Sequence, residues 1–353
     1  MVVLVLFLFL FAIDLMVISL SHISKDVVRS MISLVSNPFI ALFIGLLITS
    51  IVQSSSTTTS VIVAMVASGS LEIHHAIPMV MGANIGTTIT SDLVSLSFIA
   101  KKNQLRRAIS TSTSHDFFNI LTTIILLPLQ YFYDFIGKLS KSITDLLDFE
   151  IAGSMVNGGV FNASKLNIPV SDLIFNLINN PTISFILSLV LLFVSIRLLS
   201  KIIYSFLLGN NRSKFEDFIF KNTYKSFAWG AILTASVQSS SVTTSLLVPV
   251  VAIGRIKIKS AFPFILGANI GTTITAFLAA FFNNEAAITI AIAHLSFNII
   301  GVLIFLPIKF MRNIPVYLAN QLGLLILKYR IIGFLYIIIT FFLLPFVLIL
   351  LSR

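Results

Sequence analysis

Two polar runs carry the residues with the most chemical potential. The first is Gln53-Ser54-Ser55-Ser56-Thr57-Thr58-Thr59-Ser60, and the second is Gln238-Ser239-Ser240-Ser241-Val242-Thr243-Thr244-Ser245. Hydroxyls and a glutamine amide can both donate and accept hydrogen bonds, as a partly protonated oxyanion such as phosphate requires. Neither run contains Lys or Arg. A helix broken at such a run would offer free backbone N–H groups and the positive end of its dipole. The rest of an anion's charge then has to be balanced by a co-bound cation, which favours ion coupling over simple anion binding. Small hydroxyl residues also let membrane helices pack closely, yet packing does not need glutamine first or the same order twice.

After each run comes the same stretch, Gly82-Ala83-Asn84-Ile85-Gly86-Thr87-Thr88-Ile89-Thr90 and Gly267-Ala268-Asn269-Ile270-Gly271-Thr272-Thr273-Ile274-Thr275. Both pairs are offset by 185 residues (238 − 53 and 267 − 82). A third echo, His115-Asp116-Phe117-Phe118-Asn119 against His294-Leu295-Ser296-Phe297-Asn298, has an offset of 179. Three echoes in one order indicate an internal duplication. The Gly-x-x-x-Gly within the second motif suits a helix contact face. Its Asn and Thr-Thr oxygens, around an unwound turn, suit a hard monovalent cation. Asp116 is an intramembrane acid, functional unless it snorkels to an interface, and Leu295 replaces it in the second copy, so the site is expected to be asymmetric. His115 and His294 read equally well as structural histidines or proton carriers. Asp14 and Asp92 are secondary candidates, and His74 with His75 is expected at an interface.

The elements that must position these groups are membrane helices. The 353 residues are 57% hydrophobic and only 10% charged. About seven or more apolar stretches approach the ~20 residues that cross a bilayer, and backbone buried in lipid must be helical. Long continuous apolar runs exclude the alternation of a membrane β-barrel. The net charge of +10 reflects basic residues between apolar segments, which set orientation and do not point to nucleic acid. There is no cysteine, no His-Glu-x-x-His and no nucleophile–base pattern, so the chain does not read as an enzyme.

The resulting expectation is an all-α polytopic membrane protein with two inverted-topology repeats, each holding a re-entrant helical hairpin. Residues 1–130 form the first repeat with a hairpin at about 38–69, and residues 181–308 the second with a hairpin at about 226–253. Between them, 131–180 reads as an extracytoplasmic loop, and 309–353 as C-terminal membrane segments, with Ile314 to Tyr329 undecided. Val2 to Leu20 reads as a retained span, and Ser21 to Val35, with Lys25, Asp26 and Arg29, as an interfacial helix. Lys101, Lys102, Arg106 and Arg107 read as a cytoplasmic loop, as do Arg212, Lys214, Lys221 and Lys225, and Arg255, Lys257 and Lys259. Every basic cluster then falls on one side.

At these motifs the sequence resembles the type II sodium/phosphate cotransporter family, in its two Gln-Ser-Ser-Ser runs, its Gly-Ala-Asn-Ile-Gly-Thr-Thr stretches and its His-Asp-Phe-Phe-Asn run, over about residues 38–308. The resemblance implies a secondary transporter that symports sodium and inorganic phosphate across the plasma (inner) membrane by alternating access. It implies phosphate at Gln53, Ser54, Ser55, Ser56, Thr57, Gln238, Ser239, Ser240 and Ser241. It implies sodium near Thr58, Asn84, Thr87, Thr88, Asp116, Asn119, Thr243, Asn269, Thr272, Thr273 and Asn298. Another oxyanion or a carboxylate, coupled to sodium or protons, is the alternative cargo. No cofactor is expected beyond sodium as coupling ion, and the partners are cargo and lipid.

Overall fold

The structure, a computed structural model, describes residues 2–22, 37–155, 169–207, 219–280 and 283–351. The described residues are predominantly helical, with no strand among them. We number the helices α1 Val2–Ser21, α2 Pro38–Val52, α3 Ser55–Ala67, α4 Ile73–Gly86, α5 Ile89–Leu96, α6 Lys102–Tyr133, α7 Phe135–Met155, α8 Pro169–Ile178 and α9 Pro181–Leu207. They continue as α10 Thr223–Val237, α11 Ser240–Ala252, α12 Ile258–Ala280, α13 Glu285–Phe305, α14 Lys309–Lys328 and α15 Ile331–Leu351.

Three consecutive helices start 185 residues apart: α2 and α10 (223 − 38), α3 and α11 (240 − 55), and α4 and α12 (258 − 73). Pro78 in α4 and Pro263 in α12 keep the same spacing. The second arm of each pair also reaches into the other half. α3 packs on α12 and α13, whereas α11 packs on α5 and α6. The two halves therefore interlock, and each polar run is held by helices of the other half.

Glycines set the closest approaches. A Cβ at Gly82 would lie 1.9 Å from the Leu42 carbonyl oxygen, and one at Gly45 2.0 Å from that of Met79, so α2 and α4 touch backbone to backbone. Gly267 against Phe227 and Gly230 against Phe264, each at 2.0 Å, do the same for α10 and α12. The Gly-x-x-x-Gly stretches are thus helix contact faces, whatever else their Asn and Thr residues do.

Several sequence expectations change here. Among the described residues, α1, α12, α13 and α15 are each long and apolar enough to cross a membrane singly. Other apolar segments, α2, α3 and α11, are short helices separated by breaks, each too short to span alone. Lys102, Arg106 and Arg107 are not in a loop but in the opening turns of α6, with only Lys101 before it. Long basic side chains can stay at an interface while their backbone enters a helix. In the stretch expected as a loop, 131–180, the described residues are largely helical, in α7 and α8. α6 and the first part of α7, to Leu146, are bent by 77° and together are long and apolar enough to make a fifth span. The bend is at Asp134 (φ 50°), whose carboxylate accepts from Gln130 Nε2 at 2.7 Å. Gln130 Oε1 in turn accepts the Ile136 and Gly137 N–H groups at 3.0 and 3.2 Å, capping α7. The expected interfacial helix, with Lys25, Asp26 and Arg29, lies outside the described residues, as do Arg212 and Lys214. α14, left undecided by sequence, is an amphipathic helix along α6 and does not qualify as a span.

Candidate functional site

Both polar runs fold identically. α2 ends as Gln53 enters the left-handed region (φ 56°, ψ 30°), and α10 ends as Gln238 does so (φ 55°, ψ 27°). The next residue, Ser54 or Ser239, is extended and caps the helix that follows. Ser54 Oγ accepts the Thr57 N–H at 3.2 Å and Ser239 Oγ the Val242 N–H at 3.3 Å. These two serines therefore satisfy their own helix ends. Left-handed backbone costs a non-glycine residue about 1–2 kcal/mol, and helix ends of this kind favour glycine. Glutamine stands there in both copies against that preference, which points to a requirement for its side chain.

The two runs meet each other. Ser56 Oγ donates to the Gln238 carbonyl at 2.8 Å, and Ser241 Oγ donates to the Thr87 carbonyl at 3.3 Å. Ser55, Ser56, Thr57, Thr58, Ser240, Ser241 and Thr243 are buried, as is Gln238, whereas Gln53 is exposed. Thr58 and Thr243 bond back to the carbonyls of Ser54 and Ser239 at 3.1 and 2.9 Å, which keeps their hydroxyls on the first turn. The Gln238 Oε1 and Thr87 Oγ1 atoms are buried without a hydrogen-bond partner.

The asparagines form the adjoining layer and cross the halves. Asn119 Nδ2 donates to the Asn84 carbonyl at 2.6 Å, and Asn298 Nδ2 to the Asn269 carbonyl at 3.4 Å. Asn269 Nδ2 also donates to Asn119 Oδ1 at 2.6 Å. His115 Nε2 meets Asn269 Oδ1 at 2.5 Å, and His294 Nε2 meets Asn84 Oδ1 at 3.3 Å. Each histidine thus holds the asparagine of the opposite half, the structural role that the sequence left level with proton carriage. Asn298 Oδ1 is buried and unpartnered.

The unwound turn expected in both Gly-Ala-Asn motifs occurs once. α4 stops at Gly86 and α5 begins at Ile89, with Thr87 and Thr88 between them, but α12 runs unbroken through Thr272 and Thr273. The hydroxyls of Thr88 and its counterpart Thr273 both bond back, to the Ile85 and Ile270 carbonyls at 2.9 and 2.7 Å. That of Thr272 bonds to the Ala268 carbonyl at 2.9 Å, whereas that of Thr87 has no partner among the described residues. The asymmetry continues at Asp116, which is fully buried and so does not snorkel. Thr88 and Asp92 face it, and Tyr336 donates a hydrogen bond to its Oδ2 at 2.7 Å. Asp92, a secondary candidate by sequence, is 1% exposed and neither of its oxygens has a hydrogen-bond partner.

Sequence reasoning missed Tyr336. It lies in an apolar segment outside the duplicated stretch, just before a π-helical turn at Ile339–Leu343. Such turns recur at functional sites, but no residue pattern marks this one. Asp14 is half-buried on α1, away from the motifs in sequence. His74 is exposed and pairs with Glu72 at 3.3 Å, while His75 beside it is buried.

The chemistry of this region is that of hydroxyl, amide and carboxylate groups around two facing helix starts. It contains donors for an oxyanion and hard oxygens for a small cation, and no nucleophile poised against a base. A family model described as Na+/Pi-cotransporter matches residues 8–127 and 191–340. The chain is 34% identical to sodium-dependent phosphate transport protein 2B of Homo sapiens over 405 residues, covering 89% of this chain and 59% of that protein. It is 33% identical to protein 2A of Ovis aries (89% and 61%) and 32% identical to protein 2A of Rattus norvegicus (89% and 60%). The chain therefore spans about three fifths of the length of these curated relatives. No solved structure matches it.

Proposed function

This chain belongs to the Na+/Pi-cotransporter family, and on that premise we propose that it symports sodium and inorganic phosphate by alternating access of one central site. The observation that carries the reading is the contact between the two Gln-Ser-Ser-Ser runs, Ser56 to the Gln238 carbonyl at 2.8 Å. Two helix starts facing each other concentrate N–H groups and dipole on one point, which suits an anion with no Lys or Arg in either run. Phosphate is assigned to Gln53, Ser55, Ser56, Thr57, Gln238, Ser240 and Ser241, with Ser54 and Ser239 shaping the caps. Sodium is assigned to the oxygens of Thr87, Thr88, Asp116 and Asn298, with Asn84, Asn119 and Asn269 cross-linking that layer. Thr58, Thr243, Thr272 and Thr273 complete the set, each hydroxyl already bonded to a backbone carbonyl.

The architecture in this proposal is two inverted repeats, residues 1–130 and 181–308, with re-entrant hairpins α2–α3 and α10–α11. The repeated helix starts and the interlocked packing support it. So does the family match, which leaves out 128–190, the joint between repeats. An exposed Gln53 opposite a buried Gln238 fits one end of an alternating cycle. Basic clusters face the cytoplasm and the membrane is the plasma membrane.

The test is uptake of labelled phosphate into proteoliposomes under an imposed sodium gradient, with a potassium control and excess unlabelled sulfate. Uptake that needs sodium and resists sulfate is expected. Uptake indifferent to sodium would reject the coupling, and competition by sulfate would reject the cargo. Within this reading Tyr336 orients Asp116. A hydrogen bond to a charged group contributes about 1.5–3 kcal/mol, so Tyr336→Phe is expected to raise the sodium concentration for half-maximal uptake about tenfold. The phosphate concentration for half-maximal uptake at saturating sodium should stay put. An unchanged sodium dependence would remove Tyr336 from the site.

A further inference from the structure

Away from the paired runs, a cavity of about 280 Å³ lies where α6, the α11–α12 turn and α14 come together. Its polar lining is Arg106, Arg107, Ser110, Lys257 and Asn320, with Gly254 on the turn. Three cationic side chains and no acidic one face the same space. Among the described residues no ion pair is seen to any of the three. No acidic side chain among the described residues lines the cavity to neutralise them.

A second observation is independent of charge. Ser110 is 1% exposed, lines the cavity, and its hydroxyl has no hydrogen-bond partner. Its neighbours on α6 do otherwise, since Thr111, Thr113 and Ser114 all bond back to helix carbonyls at 2.7–2.8 Å. A buried hydroxyl left free in a cavity that two arginines also line is a ready donor to a ligand oxygen. The turn is also shaped for close approach. Gly254 has φ +86°, a conformation that favours glycine, and it lies against the Arg107 guanidinium. Arginine forks match tetrahedral oxyanions, and lysine adds a mobile charge.

We propose that this cavity is an anion site that takes a phosphate group, distinct from the paired runs. A free phosphate ion and the headgroup of an anionic phospholipid present the same chemistry to it, since basic pockets between membrane helices take either. The proposal stands whether or not the chain transports phosphate.

The test uses the full chain in nanodiscs and sodium-free buffer, with thermal unfolding as the readout. One arm adds inorganic phosphate to phosphatidylcholine nanodiscs, against chloride at equal ionic strength. The other replaces part of the phosphatidylcholine with phosphatidic acid and adds no phosphate. A ligand present well above its dissociation constant should raise the midpoint by about 2–4 °C in at least one arm. Stabilisation only by inorganic phosphate identifies the free ion, and stabilisation only by phosphatidic acid identifies the headgroup. The double variant Arg107→Gln with Lys257→Gln is expected to lose the shift. The variant Gln53→Ala with Gln238→Ala is expected to keep it. No shift in either arm, a shift that survives Arg107→Gln with Lys257→Gln, or one lost with Gln53→Ala and Gln238→Ala would each overturn the assignment.

Discussion

Replacing Gln53 and Gln238 by glycine is expected to abolish sodium-dependent phosphate uptake and to leave the fold at least as stable as before. Both residues sit at a left-handed helix end (φ 56° and 55°), where glycine is the relaxed choice and any other residue costs about 1–2 kcal/mol. Glycine's greater freedom in the unfolded chain offsets part of that gain, so the net effect is about 1 kcal/mol of stabilisation per position or none. The amides contribute to binding instead. Hydrogen bonds to a charged ligand contribute about 1.5–3 kcal/mol each, so losing two lowers phosphate affinity by about a hundredfold or more. Alanine variants would lose the amides but keep the backbone cost, which makes glycine the cleaner test. Uptake and the thermal midpoint are measured on the same preparation. Retained uptake refutes the role of the amides, whereas a collapsed midpoint assigns them to the fold.

The local fold of the runs was legible because the cause is local. A polar Gln-Ser-Ser-Ser run in an apolar stretch breaks the helix, and both copies break there, although the capping by Ser54 and Ser239, read from sequence as phosphate ligands, was not foreseen. The shared spacing of the Gly-Ala-Asn motifs carried over to the starts of α4 and α12. Identical sequence did not give identical backbone, however. Thr87 and Thr88 interrupt a helix whereas Thr272 and Thr273 continue one, and the difference lies in the neighbours. α5 turns away to meet α11 and Tyr336 reaches Asp116 from α15, contacts for which the sequence carries no periodic sign. Basic residues marked the ends of apolar segments but not whether the backbone there was loop or helix, as Lys102, Arg106 and Arg107 show. The cross-half bonds of His115 and His294 were also beyond sequence, since duplication pairs each histidine with its own copy and the fold pairs it with the other half's asparagine.

Replacing Gly82 or Gly267 by valine is expected to leave little or no folded protein. Overpacking a core usually costs about 1–3 kcal/mol, because a flexible side chain can give way. At these glycines the obstacle is backbone. The first added carbon would lie 1.9 Å from the Leu42 carbonyl oxygen in one case and 2.0 Å from that of Phe227 in the other. The helices would have to separate, and their other close contacts, Gly45 on Met79 and Gly230 on Phe264, would separate with them. The cost therefore exceeds about 3 kcal/mol, read out as loss of monodisperse protein after extraction. A monodisperse valine variant with an unchanged thermal midpoint would show that the helices do not pack this closely. Alanine at Gly86 asks a finer question, since its Cβ would meet the Leu46 carbonyl oxygen at 2.6 Å and Thr49 Cβ at 2.9 Å. That crowding falls one residue before Thr87, the partner of Ser241 across the halves. A shift of α4 against α2 there changes the distance between the two runs. Gly86→Ala is therefore expected to raise the phosphate concentration for half-maximal uptake in protein that still folds.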